Sequence, residues 1–258
     1  MTGRLTDRSF PLFDNNPIEH IGIMGSGGNF GMFVTSRIRH HLSWIPVRSF
    51  DAHKQSTHTR EEVASSDIVI LAVPISQFEK TVAEIVPLLG PTSIIIDICT
   101  VKEHTIDVLR RLMGDRSYWS GHPLFGPMTW EDNGHRLDGL EIVECAHTLS
   151  DQALSASRKL FYQLGLSVVE MSAEEHDREV AGELLLVQLL GRIIKRAGFR
   201  RSSADAHTRS AVHFFTAMEI VAGDEKLFEE VCAHNRFCRQ LVERFFEASD
   251  KVRAQYEF

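Results

Sequence analysis

Through the first two thirds of the chain, short apolar, β-branched runs alternate with segments whose apolar residues recur at helical spacing. Residues 18–24, 46–51, 67–73, 93–99, 140–145 and 166–171 read as strands. Their near-continuous apolarity, rather than strict alternation, is what a strand covered on both faces needs. Between them, residues 29–41, 77–89, 102–113 and 151–164 predict helices. Strand and helix taken in turn give a mostly parallel, doubly wound α/β sheet of the Rossmann type. After residue 171 the strand signal stops. Ser172, with Glu175 three positions on, has the spacing of a capping box opening a helix that runs to about residue 197. Helical spacing returns over residues 204–221 and 225–252. The expected architecture is α/β, with a Rossmann-type domain over residues 1–171 and an all-α domain over residues 172–258.

The helical region is too apolar to stand alone, as the run Leu184-Leu185-Leu186-Val187 illustrates. Such a face is expected to be buried against a second copy, making a homodimer. A chain of 258 residues with 43% hydrophobic content can bury a substantial core. A formal net charge of -7 and a pI near 6.0 argue against a nucleic-acid binder, which needs clustered Lys and Arg. The apolar run at residues 67–73 is too short to cross a bilayer, and residues 1–16 lack the apolar stretch of a signal peptide. A cytoplasmic protein without membrane or nucleic-acid partners is therefore expected, with no regulatory domain appended after Phe258. Cys99, Cys145, Cys232 and Cys238 form no C-x-x-C pair and read as free thiols.

The sharpest local signal is the turn between the first strand and the first helix, Gly25-Ser26-Gly27-Gly28-Asn29-Phe30-Gly31. Glycines there let backbone N–H groups approach a pyrophosphate lying on a helix N-terminus. The six-residue dinucleotide frame starts at Ser26, with Ser in place of its first glycine and Gly25 just before it. The alternative is a plain tight turn. Twenty residues past Gly31, at the end of the second predicted strand, stands Asp51, suited to the adenosine ribose hydroxyls and repulsive to a 2′-phosphate. That favours NAD over NADP, although Arg48 and Lys54 could take a phosphate if Asp51 points away. Val73-Pro74 ends the third strand, where it either lines the nicotinamide side of the cleft or simply terminates the strand.

Two further stretches place polar chemistry at strand ends: Asp97-Ile98-Cys99-Thr100-Val101-Lys102 and Gly121-His122-Pro123-Leu124-Phe125-Gly126-Pro127. His122, fixed between Gly121 and Pro123 in a turn after a strand, is the candidate proton acceptor. His40, His41, His53 and His58 lack metal-ligand spacing such as H-E-x-x-H, so no metal is expected. Neither a nucleophile elbow nor a G-K-[ST] phosphate loop occurs.

Through these two stretches and the pair His176-Asp177, the sequence resembles the prephenate and arogenate dehydrogenase family of tyrosine biosynthesis. It is most similar to the plant-type arogenate dehydrogenases, through Gly28-Asn29-Phe30-Gly31, Ala181-Gly182, Gly191-Arg192 and Ala222-Gly223-Asp224. The resemblance implies oxidative decarboxylation of a cyclohexadienyl substrate with NAD, giving tyrosine from arogenate or 4-hydroxyphenylpyruvate from prephenate. His122 would accept the ring hydroxyl's proton, and Thr100, where the family usually has Ser, would hydrogen-bond around the same hydroxyl. Lys102 would be mainly positional.

The helical region departs from the family. Gln188 stands where a second active-site His is usual, and Leu184 where a small polar residue is expected. Gln can hydrogen-bond a substrate carboxylate but carries no charge. Counting back from Asp224, the position of an Arg that binds the keto acid in prephenate-preferring members is Glu219, which would instead pair with the ammonium of arogenate, or merely face solvent. Arg209 remains for a substrate carboxylate, with His213 a weaker neighbour. Arogenate is thus the first expected substrate and prephenate the second. Three alternatives stay open: an enzyme for a modified substrate such as 4-amino-4-deoxyprephenate, a catalytically silent dinucleotide-binding sensor, and a generic NAD-dependent dehydrogenase, the last leaving the Gly121 to Pro127 stretch unexplained.

Overall fold

A computed structural model describes residues 18–200, 208–221 and 225–256, without the side chains of residues 160 and 219–221. The chain divides into two compact units, the first ending at Ala173 and the second beginning at Glu174.

The first unit is built on a seven-stranded sheet in the order β2-β1-β3-β4-β5-β6-β7. Its strands are β1 (Ile21–Met24), β2 (Val47–Phe50), β3 (Ile68–Leu71), β4 (Ile94–Asp97), β5 (Tyr118–Pro123), β6 (Glu141–His147) and β7 (Ser167–Glu170). β1 to β5 are parallel; β6 runs antiparallel to β5, and β7 is parallel to β6. The fold class is the one the apolar pattern predicts. All four residues of β1 and of β3 are buried, as central strands under two helical layers must be.

The helices that cover this sheet are α1 (Asn29–His41), α2 (Arg60–Ala64), α3 (Ile75–Ile85), α4 (Lys102–Leu112), α5 (Pro127–Asp132) and α6 (Asp151–Gln163). One buried cluster joins Ile21, Ile23, Ile68 and Ile70 to Leu42 and Ile45 at the end of α1. A second joins Trp119 and Ile142 to Ala153 and Phe161 of α6. Two short helices escape the periodicity reading. α2 is held by a capping box in which Thr59 Oγ1 accepts from Glu62 N and the Glu62 carboxylate accepts from Thr59 N.

β5 is absent from the strands predicted by pattern. Its core residue is Trp119, and Ser120, Gly121, His122 and Pro123 make no β-branched run; pairing with β4 and β6 makes it a strand. His122 accordingly lies inside β5, paired with Val143, and not in a turn after it.

In the second unit the long helix expected from Ser172 consists of α7 (Ala173–Val180), a π-helical turn at Ala181–Leu185, and α8 (Leu186–Arg196). α9 spans Arg209–Val221, within the stretch predicted from residue 204, whose first residues lie outside the description. The last predicted helix is two, α10 (Glu225–His234) and α11 (Cys238–Gln255). Asn235 causes the break. Its Oδ1 accepts from Phe237 N at 3.0 Å, while its Nδ2 donates to Asp177 O at 2.6 Å, so its side chain replaces helical backbone bonding.

Candidate active site

The sheet order fixes which loops meet at its carboxyl edge. Between β1 and β3 the order of connection reverses, and such a switch point opens the crevice where open α/β sheets bind ligands. The glycine turn follows β1 and Val73-Pro74 follows β3, so both flank that crevice. Gly25 N donates to Phe50 O of β2 at 2.9 Å, which ties the turn to the strand that precedes Asp51.

Three glycines of the turn have separate structural reasons. Gly25 has φ 81°, and a Cβ on it would overlap Ala72 O beside Val73. On Gly31 a Cβ would overlap Gly25 O, so only glycine lets α1 start this close to the turn. A Cβ on Gly27 would lie 2.8 Å from Asp51 Cγ and from Lys54 Cδ. Gly28 caps α1 without a side-chain hydrogen bond, and the first turn of α1 carries no acidic residue. Such a helix start suits an anion. Asn29 is exposed and Phe30 half-buried, stacked on Phe33 at 6.0 Å.

Asp51 points at the turn. Its Oδ2 accepts from Gly27 N at 3.0 Å, and its Oδ1 accepts from His53 N at 2.9 Å and Lys54 N at 3.0 Å. Arg48 is held elsewhere, its Nη1 donating to Glu62 O at 3.0 Å and Ser65 Oγ at 3.2 Å. Lys54 stays close, its Nζ donating to Gly27 O.

Beyond β3 come the two polar stretches. Asp97 of β4 pairs in register with Ser120 of β5, so Thr100 and His122, three and two residues further on, belong to the same end of neighbouring strands. Both are half-buried. Cys99 Sγ donates to Val73 O at 3.5 Å, joining the loop before Thr100 to the end of β3.

Beneath these loops lies a polar cluster that sequence reading only touched. Lys102, Asp97 and Ser120 are fully buried. Lys102 Nζ donates to Asp97 Oδ2 at 2.7 Å and to Gly121 O at 2.8 Å; Ser120 Oγ donates to the same Asp97 Oδ2 at 2.7 Å, and Cys99 N to Oδ1 at 2.8 Å. A cation on the first residue of a helix is disfavoured by the helix dipole, so α4 alone does not explain Lys102. Its role is to neutralise Asp97 and fix the peptides that precede Thr100 and His122. The spacing of an acid at a strand end from a Lys at the next helix start was a usable signal for this pair. Ser120 and Gly121 gave none.

In the second unit His176 and Asp177 are buried, His176 Nδ1 lying 2.9 Å from Asp177 Oδ1. Gln188 of α8 is 4% exposed, and its Oε1 is buried without a hydrogen-bond partner. Arg209 and His213 are exposed on α9. Glu219 belongs to the same helix, but its side chain lies outside the described residues. Among the described residues no group of three or more His, Cys, Asp or Glu could hold a metal ion. No described helix is long and apolar enough to cross a membrane.

The fold and the glycine turn are those of a Rossmann-type dinucleotide-binding domain, and comparison with known proteins narrows the reading. Residues 47–135 match the nucleotide-binding domain of prephenate dehydrogenase, a match that begins after the glycine turn. The chain is 23% identical to arogenate dehydrogenase 2, chloroplastic, of Arabidopsis thaliana, across 91% of the chain and 69% of that protein. It is 26% identical to arogenate dehydrogenase 1, chloroplastic, of the same plant, across 91% of the chain but only 39% of the relative. Prephenate dehydrogenase from A. aeolicus, solved with hydroxyphenyl propionate and NAD+, shares the fold with a TM-score of 0.73 at 17% identity, covering 93% of this chain and 92% of that one. The family resemblance read from the sequence is borne out as a likeness: the chain is similar to dehydrogenases of the prephenate and arogenate type, and the match to their nucleotide-binding domain supports a dinucleotide cofactor.

Proposed function

We propose that the protein catalyses NAD-dependent oxidative decarboxylation of a cyclohexadienyl substrate in tyrosine biosynthesis, with arogenate preferred to prephenate. The observation that carries this reading is the order along the carboxyl edge of the sheet. Asp51, the glycine turn, Val73-Pro74, Thr100 and His122 follow the order β2, β1, β3, β4, β5, spread over four strand spacings, roughly 19 Å. An acidic ribose partner thus stands at one end and a proton acceptor at the other.

In this reading the turn from Gly25 through Ser26, Gly27, Gly28, Asn29 and Phe30 to Gly31 brings the N-terminus of α1 against a pyrophosphate, and Asp51 takes the adenosine ribose hydroxyls. NAD is favoured because Asp51 is aimed at Gly27 while Arg48 is engaged by Glu62 and Ser65. When bound, the dinucleotide supplies the hydride acceptor. His122 accepts first the hydrogen bond and then the proton of the ring hydroxyl, a task suited to an imidazole with an ordinary pKa of about 6.5. Thr100 hydrogen-bonds to the same oxygen, and the Asp97–Lys102 pair holds both loops. Loss of carbon dioxide then makes the ring aromatic, so the reaction runs one way.

Gln188, Arg209 and Glu219 are assigned to the substrate's polar tail by the resemblance. The buried, unpartnered Oε1 of Gln188 lacks a donor, which an ammonium would supply; this favours arogenate. The second reading is a modified substrate such as 4-amino-4-deoxyprephenate, for which the uncharged Gln188 in place of the family's His leaves room. We place the protein in the cytoplasm as a homodimer formed through its helical unit, where Phe199, Phe214, Phe246, Val252 and Tyr256 are all exposed.

Purified protein should turn over arogenate faster than prephenate, and NAD faster than NADP, by absorbance of the reduced cofactor. His122→Asn should lower kcat by about 10²–10⁴-fold. Inactivity on both substrates would reject the main reading, and faster turnover with NADP would reject the role of Asp51. An unchanged kcat in His122→Asn would remove His122 from catalysis.

A further inference from the structure

The peptide before His122 is gripped on one side by Lys102, and the other grip belongs to no motif. Gly121 is buried, and a Cβ on it would overlap Cη2 and Cζ3 of Trp119 as well as Val143 O. The far edge of the Trp119 indole therefore rests against the α-carbon that precedes His122. The indole is itself locked: it is 1% exposed, its ring packs on Phe161 of α6 at 5.1 Å, and its Nε1 donates to Glu144 Oε2 at 2.9 Å. Glu144, on β6 opposite Gly121, is 5% exposed and accepts a two-armed contact from Arg158 of α6 through Nε at 3.2 Å and through Nη2. Arg158 also reaches Glu170 of β7 at 2.9 Å.

The strand pairing is irregular at this place. Ser120 pairs with Ala146 but Gly121 with Glu144, so the register shifts by one residue of β6 between them. A bulge re-aims the side chains beside it and, without a further constraint, loosens the register. Filling the space under Gly121 would need only an apolar side chain. Burying a carboxylate there is costly unless it is paired and hydrogen-bonded. What the charged pair adds is a fixed rotation for the indole, and the indole's edge is what touches Gly121.

We propose that Trp119, Glu144 and Arg158 are positioning residues that set the direction of His122 across the bulge, acting through Gly121 against the Lys102 grip. This rests on the reading of His122 as the proton acceptor. Displacement of a reacting group by about 1 Å can cost a hundredfold in rate, so small rotations of the indole are sufficient to matter.

The test compares wild type with Trp119→Phe, which keeps a ring on Phe161 but loses the donor and the outer edge of the indole, and Glu144→Gln, which keeps an acceptor but loses the charge that holds Arg158. The His122 imidazole is titrated by NMR in ring-labelled protein, its signal assigned by loss in His122→Asn, alongside kcat, KM, dinucleotide affinity and Tm. Both variants should bind the dinucleotide within about twofold of wild type, lose at least about tenfold in kcat with little change in KM, and shift the His122 titration midpoint. Folded variants with wild-type kcat and an unmoved His122 titration, whatever their Tm, would reduce the network to core packing and overturn the proposal. Should Trp119→Phe fail to fold, Glu144→Gln decides alone. If wild type turns over neither cyclohexadienyl substrate, the functional reading fails, while the His122 titration still decides whether the network positions that ring.

Discussion

At the scale of single residues, placement and reactivity diverge. Cys232 and Cys238 flank the break between α10 and α11, Cys232 exposed and Cys238 buried. Burial, reinforced by the neighbouring Cys232 and Asp177, pushes the Cys238 thiol up to about 12, and partial desolvation of its sulfur raises Cys232 as well. An unfolded thiol ionises near 8.5. The folded state therefore holds the Cys238 proton more tightly than the unfolded one; the stability this contributes is fully present below about pH 8.5 and is lost as pH rises toward 12. At pH 8, iodoacetamide should label Cys238 at least about a hundredfold more slowly in the native protein than in urea, because only the thiolate reacts. Equal labelling in the two states, read by peptide mass spectrometry, would contradict the buried placement. Much of the candidate site was legible at this scale, since Asp51, Thr100 and His122 announce themselves by position at strand ends. The grip beneath them was not. Trp119, Glu144 and Arg158 are dispersed along the sequence and become neighbours only through pairing of β5 with β6 and packing of α6.

At the scale of elements, the sequence speaks clearly where one kind of force decides the outcome. β3 is an unbroken run of Ile, Val and Leu, β4 opens with three Ile, β1 is apolar throughout, and α1 starts at Asn29 and ends at His41 as the helical spacing predicts. It is silent where side-chain bonding competes with the backbone, as at Asn235, and where tertiary pairing overrides composition, as in β5. The Ala181–Leu185 π turn has no sequence signal that we can identify. The start of α1 offers a test that separates fold from binding. On Gly28 a Cβ would meet Gly25 O at 3.6 Å, an ordinary contact, and its φ of -70° suits any residue. On Gly31 it would overlap that same backbone oxygen. Gly28→Ala should cost only the loss of a better N-cap, up to about 1 kcal/mol, yet weaken dinucleotide binding, because in the proposed reading the added methyl would stand where a pyrophosphate approaches. Gly31→Ala should cost about 1–3 kcal/mol of stability as well as binding. The same loss of Tm in both variants, by calorimetry, would show that the close approach at Gly31 is not what shapes the turn.

At the scale of the whole molecule, the two units differ in how completely they cover themselves. The first closes its sheet under α1 to α6, whereas α11 contributes one buried residue, Cys238, in its 18. Leu241, Phe245, Val252 and Tyr256 fall on one stripe of that helix at 3.6 residues per turn. The stripe is half-buried at Leu241 and Phe245, then exposed at Val252 and Tyr256, by 52% and 60%. Phe246 and Phe214 add exposed rings on α11 and α9. A stable homodimer of this kind commonly buries about 2,000 Å² or more, beyond what one helical stripe supplies, so α8 and α9 should contribute to the same interface. In sedimentation at micromolar concentration the protein should run as a dimer. Val252→Asp with Tyr256→Asp should shift it toward monomer, since a charge in an apolar interface core costs several kcal/mol unless paired. Dinucleotide affinity should survive that change, because the glycine turn and Asp51 belong to the first unit. A monomeric wild type, or a double variant that remains dimeric, would show that the apolar stripe of α11 is not the dimer contact.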